Sequence, residues 1–361
     1  MTEVVLITGG LGLVGLQTVR RLTQDGRTVI ATDLDTEANR KKARALPAGA
    51  GIRFANLTNP AEVEQLVSEA APTAIIHLAA VIAPAIYRHP ELGRKVNVDA
   101  TAALVRAAEA QPSPPRFVLA SSAAVYGSRN PHRHDPIDAH TPTRPTEVYG
   151  GHKLEAETLL RSSRLDWVIL RLAGVLSADP SALPLDGDAA YIESALPTDQ
   201  RFHGVDVRDV ATAFAAATTA DVVGEVLLIA GDDSHRLRQR EVGAALAAAV
   251  GLPGVLPVGR PGNPDSDDDW FIIDWMDASR AQDALNFQNH SWPDILAEMR
   301  QWAGWKRPLF RLLVPVAKLY TKRQAAYRVS PGEYADPWGA MRARLGDTKL
   351  DSAPPGYVGG A

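Results

Sequence analysis

Within its first two dozen residues the chain passes from a β-branched run, Val4–Thr8, through Thr8-Gly9-Gly10-Leu11-Gly12-Leu13-Val14-Gly15 into Val14–Thr23, where apolar residues recur at helical spacing. Strand, glycine turn and helix in such quick succession leave few folds open. Glycines at 9, 12 and 15 let the backbone turn tightly, approach a bound group and pack the helix on the sheet, while the helix start offers unpaired N–H groups and a positive dipole end. That is a seat for a diphosphate. Asp33 closes the second strand-like run, eighteen residues past Gly15, where a carboxylate can accept hydrogen bonds from ribose hydroxyls and repel a 2′-phosphate. Together the signals indicate a dinucleotide, NAD in preference to NADP. A structural glycine turn and an Asp that caps the next helix are the plainer alternatives, and Arg40 or Arg44 could still meet a phosphate.

The alternation continues. Strands are expected at Thr28–Thr32, Ile52–Ala55, Ala74–Leu78, Arg116–Ala120 and Trp167–Leu172, with helices near Thr36–Leu46 and at Pro60–Glu69, Leu92–Ala110 and Tyr149–Arg161. Strands alternating with helices imply right-handed crossovers and a parallel sheet covered on both faces, a doubly wound, Rossmann-type α/β fold. Pro- and Gly-punctuated sequence from Ser177 to Gln200 leaves that pattern, and Val205–Val207, the helix Arg208–Thr219 and Glu225–Ile229 read as returns to the sheet. At 361 residues the chain is long enough for two domains. Residues 1–176 and 204–231 are expected to bind the dinucleotide, and 177–203 with 232–300 to form a smaller, discontinuous C-terminal substrate domain.

Composition removes several functions. The net charge of −4, from 38 Lys+Arg and 42 Asp+Glu, is no footprint for nucleic acid, and zero cysteines exclude disulfides, thiolate catalysis and Cys-bound metals. Met1-Thr2-Glu3 runs into Val4 without a basic, apolar leader, so a cytoplasmic protein is expected. No stretch of about 18 apolar residues suggests a transmembrane helix. Charge is nonetheless segregated: 300–328 holds eight basic residues and no acidic one, interleaved with Trp302, Trp305, Leu309, Leu312, Leu313 and Val316. Pro308 and Pro315 predict short helical pieces there. Ordinary packing with a solvated charged face is the first reading of this segment; weak contact with an anionic membrane surface, or packing on a second subunit, are others. With ten Pro or Gly, residues 331–361 read as a poorly ordered tail. His132, His134 and His140 share a Pro-rich loop but no ligand-bearing helix, so no metal is expected.

Tyr149-Gly150-Gly151-His152-Lys153 puts a phenol and an ammonium at i and i+4 on one helical face. Bringing a phenol from its usual pKa near 10 to about 7 takes roughly 4 kcal/mol, within reach of a neighbouring cation and a second positive charge. Such a group can trade a proton with an alcohol or carbonyl.

With these motifs assembled, the sequence resembles the extended short-chain dehydrogenases/reductases, the group of NAD-dependent epimerases and dehydratases that also includes 3β-hydroxysteroid-type dehydrogenases. The matches run in order: the glycine turn, Asp33, His77-Leu78-Ala79-Ala80, Asn97-Val98, Ser121-Ser122-Ala123-Ala124-Val125-Tyr126-Gly127, and Tyr149 with Lys153. Arg171, Val207–Ala211 and Asp277–Ala281 extend the likeness to about residue 300. The resemblance implies Tyr149 as general acid/base, Lys153 as the residue that holds the nicotinamide ribose and lowers the Tyr pKa, and Ser122 as the hydroxyl on the reacting oxygen. It implies that backbone N–H groups of Leu13 and Val14, in the turn set by Gly9, Gly12 and Gly15, hold pyrophosphate. Leu78, Ala79 and Ala80 would line the path to the nicotinamide, Asn97 would flank its ribose, and Asn56-Leu57 would stand where many members place an acidic pair at adenine.

The implied activity is hydride transfer between a small secondary alcohol or ketone and nicotinamide. An NAD-retaining sugar-nucleotide epimerase is the second reading and a non-catalytic dinucleotide sensor the third. Family epimerases often carry an Asn facing the sugar nucleotide after the sixth strand; here Gly174 stands in that stretch, and Ala123-Ala124 replaces the acidic pair of dehydratases. Arg201 and His203 remain candidates for a diphosphate. The resemblance also implies a homodimer through Leu92–Ala110 and Tyr149–Arg161.

Overall fold

A computed structural model describes residues 3–180, 187–328 and 332–352. Seven strands form one parallel sheet: β1 (Val4–Thr8), β2 (Thr28–Asp33), β3 (Ala50–Phe54), β4 (Ala74–His77), β5 (Arg116–Ser122), β6 (Trp167–Leu172) and β9 (Val226–Ile229), ordered β3-β2-β1-β4-β5-β6-β9. The order reverses between β1 and β4, where Thr8 pairs with His77. That switch point opens the crevice in which such sheets bind ligands. A second sheet, β10-β8-β7, is built from β7 (Gly174–Leu176), β8 (Arg201–Asp206) and β10 (Arg236–Arg238).

The helices are α1 (Leu13–Gln24), α2 (Glu37–Ala43), α3 (Pro60–Ala70), α4 (Ala85–Arg88), α5 (Pro90–Arg94), α6 (Ala100–Glu109), α7 (Val148–Arg161), α8 (Gly187–Ala195), α9 (Val207–Ala217), α10 (Gln239–Val250), α11 (Ser279–Leu285), α12 (Trp292–Ala303), α13 (Arg307–Gln324) and α14 (Pro337–Leu345). A π-helical turn, Lys95–Asp99, joins α5 to α6. The main sheet is covered on both faces, as its near-continuous apolar strands require. Val19 and Leu22 of α1, Val210 and Phe214 of α9 and Leu285 of α11 pack on one face. Val63 and Val67 of α3, Leu104 of α6 and Leu160 of α7 pack on the other. A separate core joins Val242 and Leu246 of α10 to Trp292, Ile295 and Met299 of α12 beside the small sheet.

Three expectations need correction. Val205–Val207 does not return to the main sheet: residues 201–206 pair with β7 and β10, and Val207 opens α9 behind the N-cap Asp206. Pro308 and Pro315 do not divide the basic segment, since α13 runs unbroken from 307 to 324. Pro308 lies in the first turn, where no N–H is lost, and Pro315 lies on the solvent side. The tail is folded as far as residue 352. Trp338, Met341 and Leu345 of α14 are buried against Ile86, Tyr87, Leu196 and Ile272, enough apolar area to fix a segment whose glycines and prolines suggested otherwise. Residues 353–361 of that expectation lie outside the described residues.

Candidate active site

The glycine turn is a steric necessity. Gly9 has φ +67°, and a Cβ there would stand 2.8 Å from the Ala79 nitrogen; a Cβ on Gly15 would come within 2.2 Å of the Gly9 carbonyl oxygen. Gly12 is the N-cap of α1 and supplies no capping side chain, and the first turn holds no acid. The N–H groups of Leu13, Val14 and Gly15 therefore face the crevice without a side-chain acceptor, a donor set that suits a diphosphate. Asp33, at the end of β2, accepts hydrogen bonds from Leu11 N at 3.2 Å, Leu34 N at 2.9 Å and Asn39 Nδ2 at 3.1 Å. Its carboxylate is thus fixed beside the turn, where ribose hydroxyls would lie. Arg40 is held by Asp35, with both bonds at 2.7 Å or less, and Lys42 donates to the Leu11 carbonyl at 3.2 Å.

Past β4 the chain is held open from below. His77 is buried between Thr8 Oγ1 at 2.6 Å and Thr101 Oγ1 at 3.0 Å, and burial together with the Lys153 charge lowers its pKa to about 3, so it is a neutral strut. Asn97 is buried and clamps the backbone of Val81, accepting from its N–H at 2.7 Å and donating to its carbonyl at 2.9 Å. That clamp leaves Leu78, Ala79 and Ala80 half-buried along the crevice wall. Asn56 is exposed and caps its own turn by accepting from Thr58 N and Oγ1, while Leu57 is buried in the core.

Ser122 ends β5 and Tyr149 begins α7, so the two strand and helix ends meet. Ser122 Oγ accepts from Ala124 N at 3.2 Å and hydrogen-bonds the Tyr149 phenol. Lys153, one turn on, has Nζ 5.8 Å from the Tyr149 ring centroid and donates to the Ala120 carbonyl at 2.7 Å. Burial pushes the Tyr149 phenol above its ordinary pKa, with the Glu147 charge adding to the rise and Ser122 opposing it. Burial lowers Lys153 to about 8, although Glu157 pulls the other way. The chain by itself therefore does not deliver the depressed phenol that the Tyr-Lys spacing suggests; desolvation and the Glu147 charge outweigh the Ser122 hydrogen bond.

Sequence reasoning missed Glu147, fully buried, which caps α7 by accepting from the N–H groups of Tyr149 and Gly150 and from the Tyr87 hydroxyl at 3.2 Å. A carboxylate just ahead of a helix start was the available signal. It also missed the base of the site: Glu157 accepts from Ser121 Oγ at 2.5 Å and from Arg171 at 2.9 and 2.6 Å, and Arg171 donates to the Tyr126 hydroxyl at 2.8 Å.

The substrate side is apolar. Tyr149, Val81, Ile192 and Phe271 lie half-buried against a group that includes Trp338 and Met341. Arg201 and His203 are already committed. Arg201 donates to the carbonyls of His134 and Pro131 and lies over Trp275, and His203 is buried between the Gly231 carbonyl and Met276 N. His134 pairs with Asp267 and His132 lies tilted against the Trp270 ring at 5.6 Å; among the described residues no group of three or more His, Asp or Glu could hold a metal.

A doubly wound sheet with a glycine turn, Ser122, Tyr149 and Lys153 at its switch point defines a nucleotide-dependent α/β class. More particularly, the chain belongs to the NAD dependent epimerase/dehydratase family, whose model matches residues 5–230. It is 34% identical over 182 residues to D-erythronate dehydrogenase of Cupriavidus necator, covering 46% of this chain and 54% of that one. It is 30% identical over 182 residues to UDP-glucose 4-epimerase of Azospirillum brasilense, covering 49% and 50%. The chain thus spans about half the length of these curated relatives. Among solved structures, a short-chain dehydrogenase/reductase superfamily protein of Agrobacterium tumefaciens with bound NAD superposes with a TM-score of 0.66 at 23% identity over 87% of this chain and 99% of that one. UDP-glucose 4-epimerase of Thermotoga maritima with UDP-glucose gives 0.66 at 22%, over 85% and 100%.

Proposed function

We propose that this protein is an NAD-dependent oxidoreductase acting on a secondary alcohol or ketone, with Tyr149 as general acid/base. The observation that carries the reading is the meeting of Ser122, Tyr149 and Lys153 beside the uncapped start of α1. NAD fits the residues present: the first-turn N–H groups of α1 would hold its pyrophosphate, Asp33 its adenosine ribose and Lys153 its nicotinamide ribose. When bound it supplies the hydride acceptor or donor and a positive charge near the phenol. Ser122 orients the substrate oxygen, and Tyr149 takes the alcohol proton in oxidation or returns it in reduction. Lys153, kept from solvent, favours the phenolate that oxidation requires.

Net oxidoreduction is favoured over sugar-nucleotide epimerisation by one further observation. A Cβ at Gly174 would stand 2.5 Å from the Phe202 ring, so no side chain can face a sugar from there, and Arg201 and His203 already have other partners. The relatives named as UDP-sugar epimerases keep that reading as the alternative outcome. The substrate unit comprises 177–203 and 232–300, and segment 332–352 adds to it. The protein is assigned to the cytoplasm. A homodimer through α6 and α7 has to form around segment 346–352, which lies on Gly151 and His152, and sedimentation of the full chain reads the state.

The test is cofactor content of the denatured protein, followed by NADH absorbance with alcohols, steroids and UDP-sugars. Protein that purifies empty and forms NADH with one alcohol, an activity abolished by Tyr149→Phe, supports the oxidoreductase. Stoichiometric retained NAD with no net NADH from any substrate, and interconversion of a UDP-sugar, overturns it in favour of the epimerase.

A further inference from the structure

A surface helix of a globular protein ordinarily turns its apolar stripe inward. Helix α13 does the reverse. Leu309, Leu312, Leu313, Val316 and Tyr320 recur at i, i+3, i+4, i+7 and i+11, and they are 51, 75, 55, 71 and 49% exposed. The face that docks on the body is a different one: Phe310, Val314, Ala317 and Thr321 are half-buried, and the Thr321 hydroxyl donates to the Val255 carbonyl. Fourteen large apolar side chains are exposed among the described residues, and eight of them fall between 302 and 320. No need of the fold accounts for that concentration.

The chemistry around the stripe says what it meets. Helical spacing places Arg311, Lys318 and Lys322 together on the polar face opposite the stripe, and Arg323 on the stripe's own side near its end. Among the described residues none of these four forms an ion pair. Trp302 and Trp305, 52 and 77% exposed, stand just before the helix, with Lys306 Nζ 6.0 Å from the Trp302 ring. From 300 to 328 there is no acidic residue, whereas the rest of the chain holds 30 basic against 42 acidic residues. Among the described residues no helix is long and apolar enough to cross a membrane. The geometry points to α13 as an in-plane anchor that docks this protein on an anionic lipid bilayer: the aliphatic stripe enters the acyl boundary, the tryptophans sit at headgroup level, and Arg323 beside the stripe, with the long cationic side chains of the polar face, meets lipid phosphates. A second copy of the chain fits poorly, since a two-fold contact would set this acid-free, cationic segment against its own copy. The inference stands on the helix and not on the activity proposed above.

Full-length protein is mixed with vesicles of phosphatidylcholine, with and without about one-third phosphatidylglycerol, and bound protein is separated by flotation. Binding to the anionic vesicles should exceed binding to neutral ones about tenfold at low salt and fall as salt rises. Leu312→Glu/Val316→Glu and, separately, Lys318→Glu/Lys322→Glu should each weaken it about tenfold while thermal unfolding stays unchanged, because all four side chains are exposed. Failure of the wild-type protein to bind anionic vesicles overturns the proposal. So does equal binding by the variants, or self-association that Leu312→Glu/Val316→Glu abolishes without any vesicle binding.

Discussion

Glu147 connects the start of α7 to the acidity of Tyr149. Burial lifts its carboxyl from the usual carboxylate range to about 7, although Gly150, Tyr149 and Tyr87 donate to it. The folded chain then holds a proton that the unfolded chain releases as pH rises from about 4.5 to 7, so stability falls across that window by on the order of 3 kcal/mol for this group. Half-buried Glu193, also raised to about 7 by desolvation, acts in the same direction. Glu147→Gln keeps one of the two oxygens that accept from the helix N–H groups and removes the charge. Its melting temperature should therefore drop less than the wild type's between pH 5 and pH 8, measured by thermal scans at about unit pH intervals. The Glu147 charge also raises the Tyr149 phenol, so the same variant should move the acidic limb of the pH–rate profile for alcohol oxidation to lower pH. Asp33 makes a separate case. Its carboxylate stands where a 2′-phosphate would come, and Asp33→Ser should reduce the preference for NAD over NADP at least about tenfold, read as the ratio of kcat/KM for the two cofactors.

The glycine turn, the catalytic-type helix and the small sheet show what kind of information a sequence carries. Gly9 and Gly15 announce themselves because a side chain there collides with backbone, with Gly12 completing the spacing, and Tyr149 and Lys153 because a helix puts them one turn apart. Alternation with one-handed crossovers gives a parallel, doubly wound sheet, but not the order of its seven strands, which only the structure shows. Glu157 and the committed state of Arg201 were not legible, because their partners Ser121 and Pro131 lie at distances along the chain that local spacing does not report, whereas Glu147 offered a local cap signal and only its Tyr87 partner is remote. Val205–Val207 misled for a similar reason: an apolar β-branched run says strand, but not which sheet it joins. The turn's geometry gives a direct test. Gly15→Ala forces a methyl to within 2.2 Å of the Gly9 oxygen, so α1 must shift away from the turn. The expected result is a loss of about 1–3 kcal/mol in stability by denaturant unfolding, and a larger proportional loss of NAD affinity by calorimetry than of substrate affinity.

The last folded segment changes the molecule's design more than any single residue. The family model ends at residue 230, yet α14 and the irregular stretch behind it return across the molecule to the start of α7. There Thr348 accepts from the Val148 N–H at 3.0 Å and Asp351 pairs with His152 at 2.8 Å. Trp338 is the centre of that return. Its indole donates to the Trp270 carbonyl at 3.0 Å and Ser128 Oγ at 3.2 Å, and its ring lies 5.4 Å from Phe271, which packs, as Tyr149 does, against the same apolar group. An indole held by two hydrogen bonds and a ring contact is a rigid wall, and a wall beside the reacting centre selects substrate by shape. Trp338→Ala should cost about 3–5 kcal/mol of stability, as a buried aromatic deletion does, and should raise KM more than it lowers kcat while admitting bulkier alcohols. Leu345→Ala, at the far end of α14 in the same packing group, controls for the loss of stability: about 2–4 kcal/mol in unfolding, with KM and substrate range close to wild type. If both variants move KM alike, segment 332–352 is a buttress for α7, and the selecting surface belongs to Phe271 and Ile192 alone.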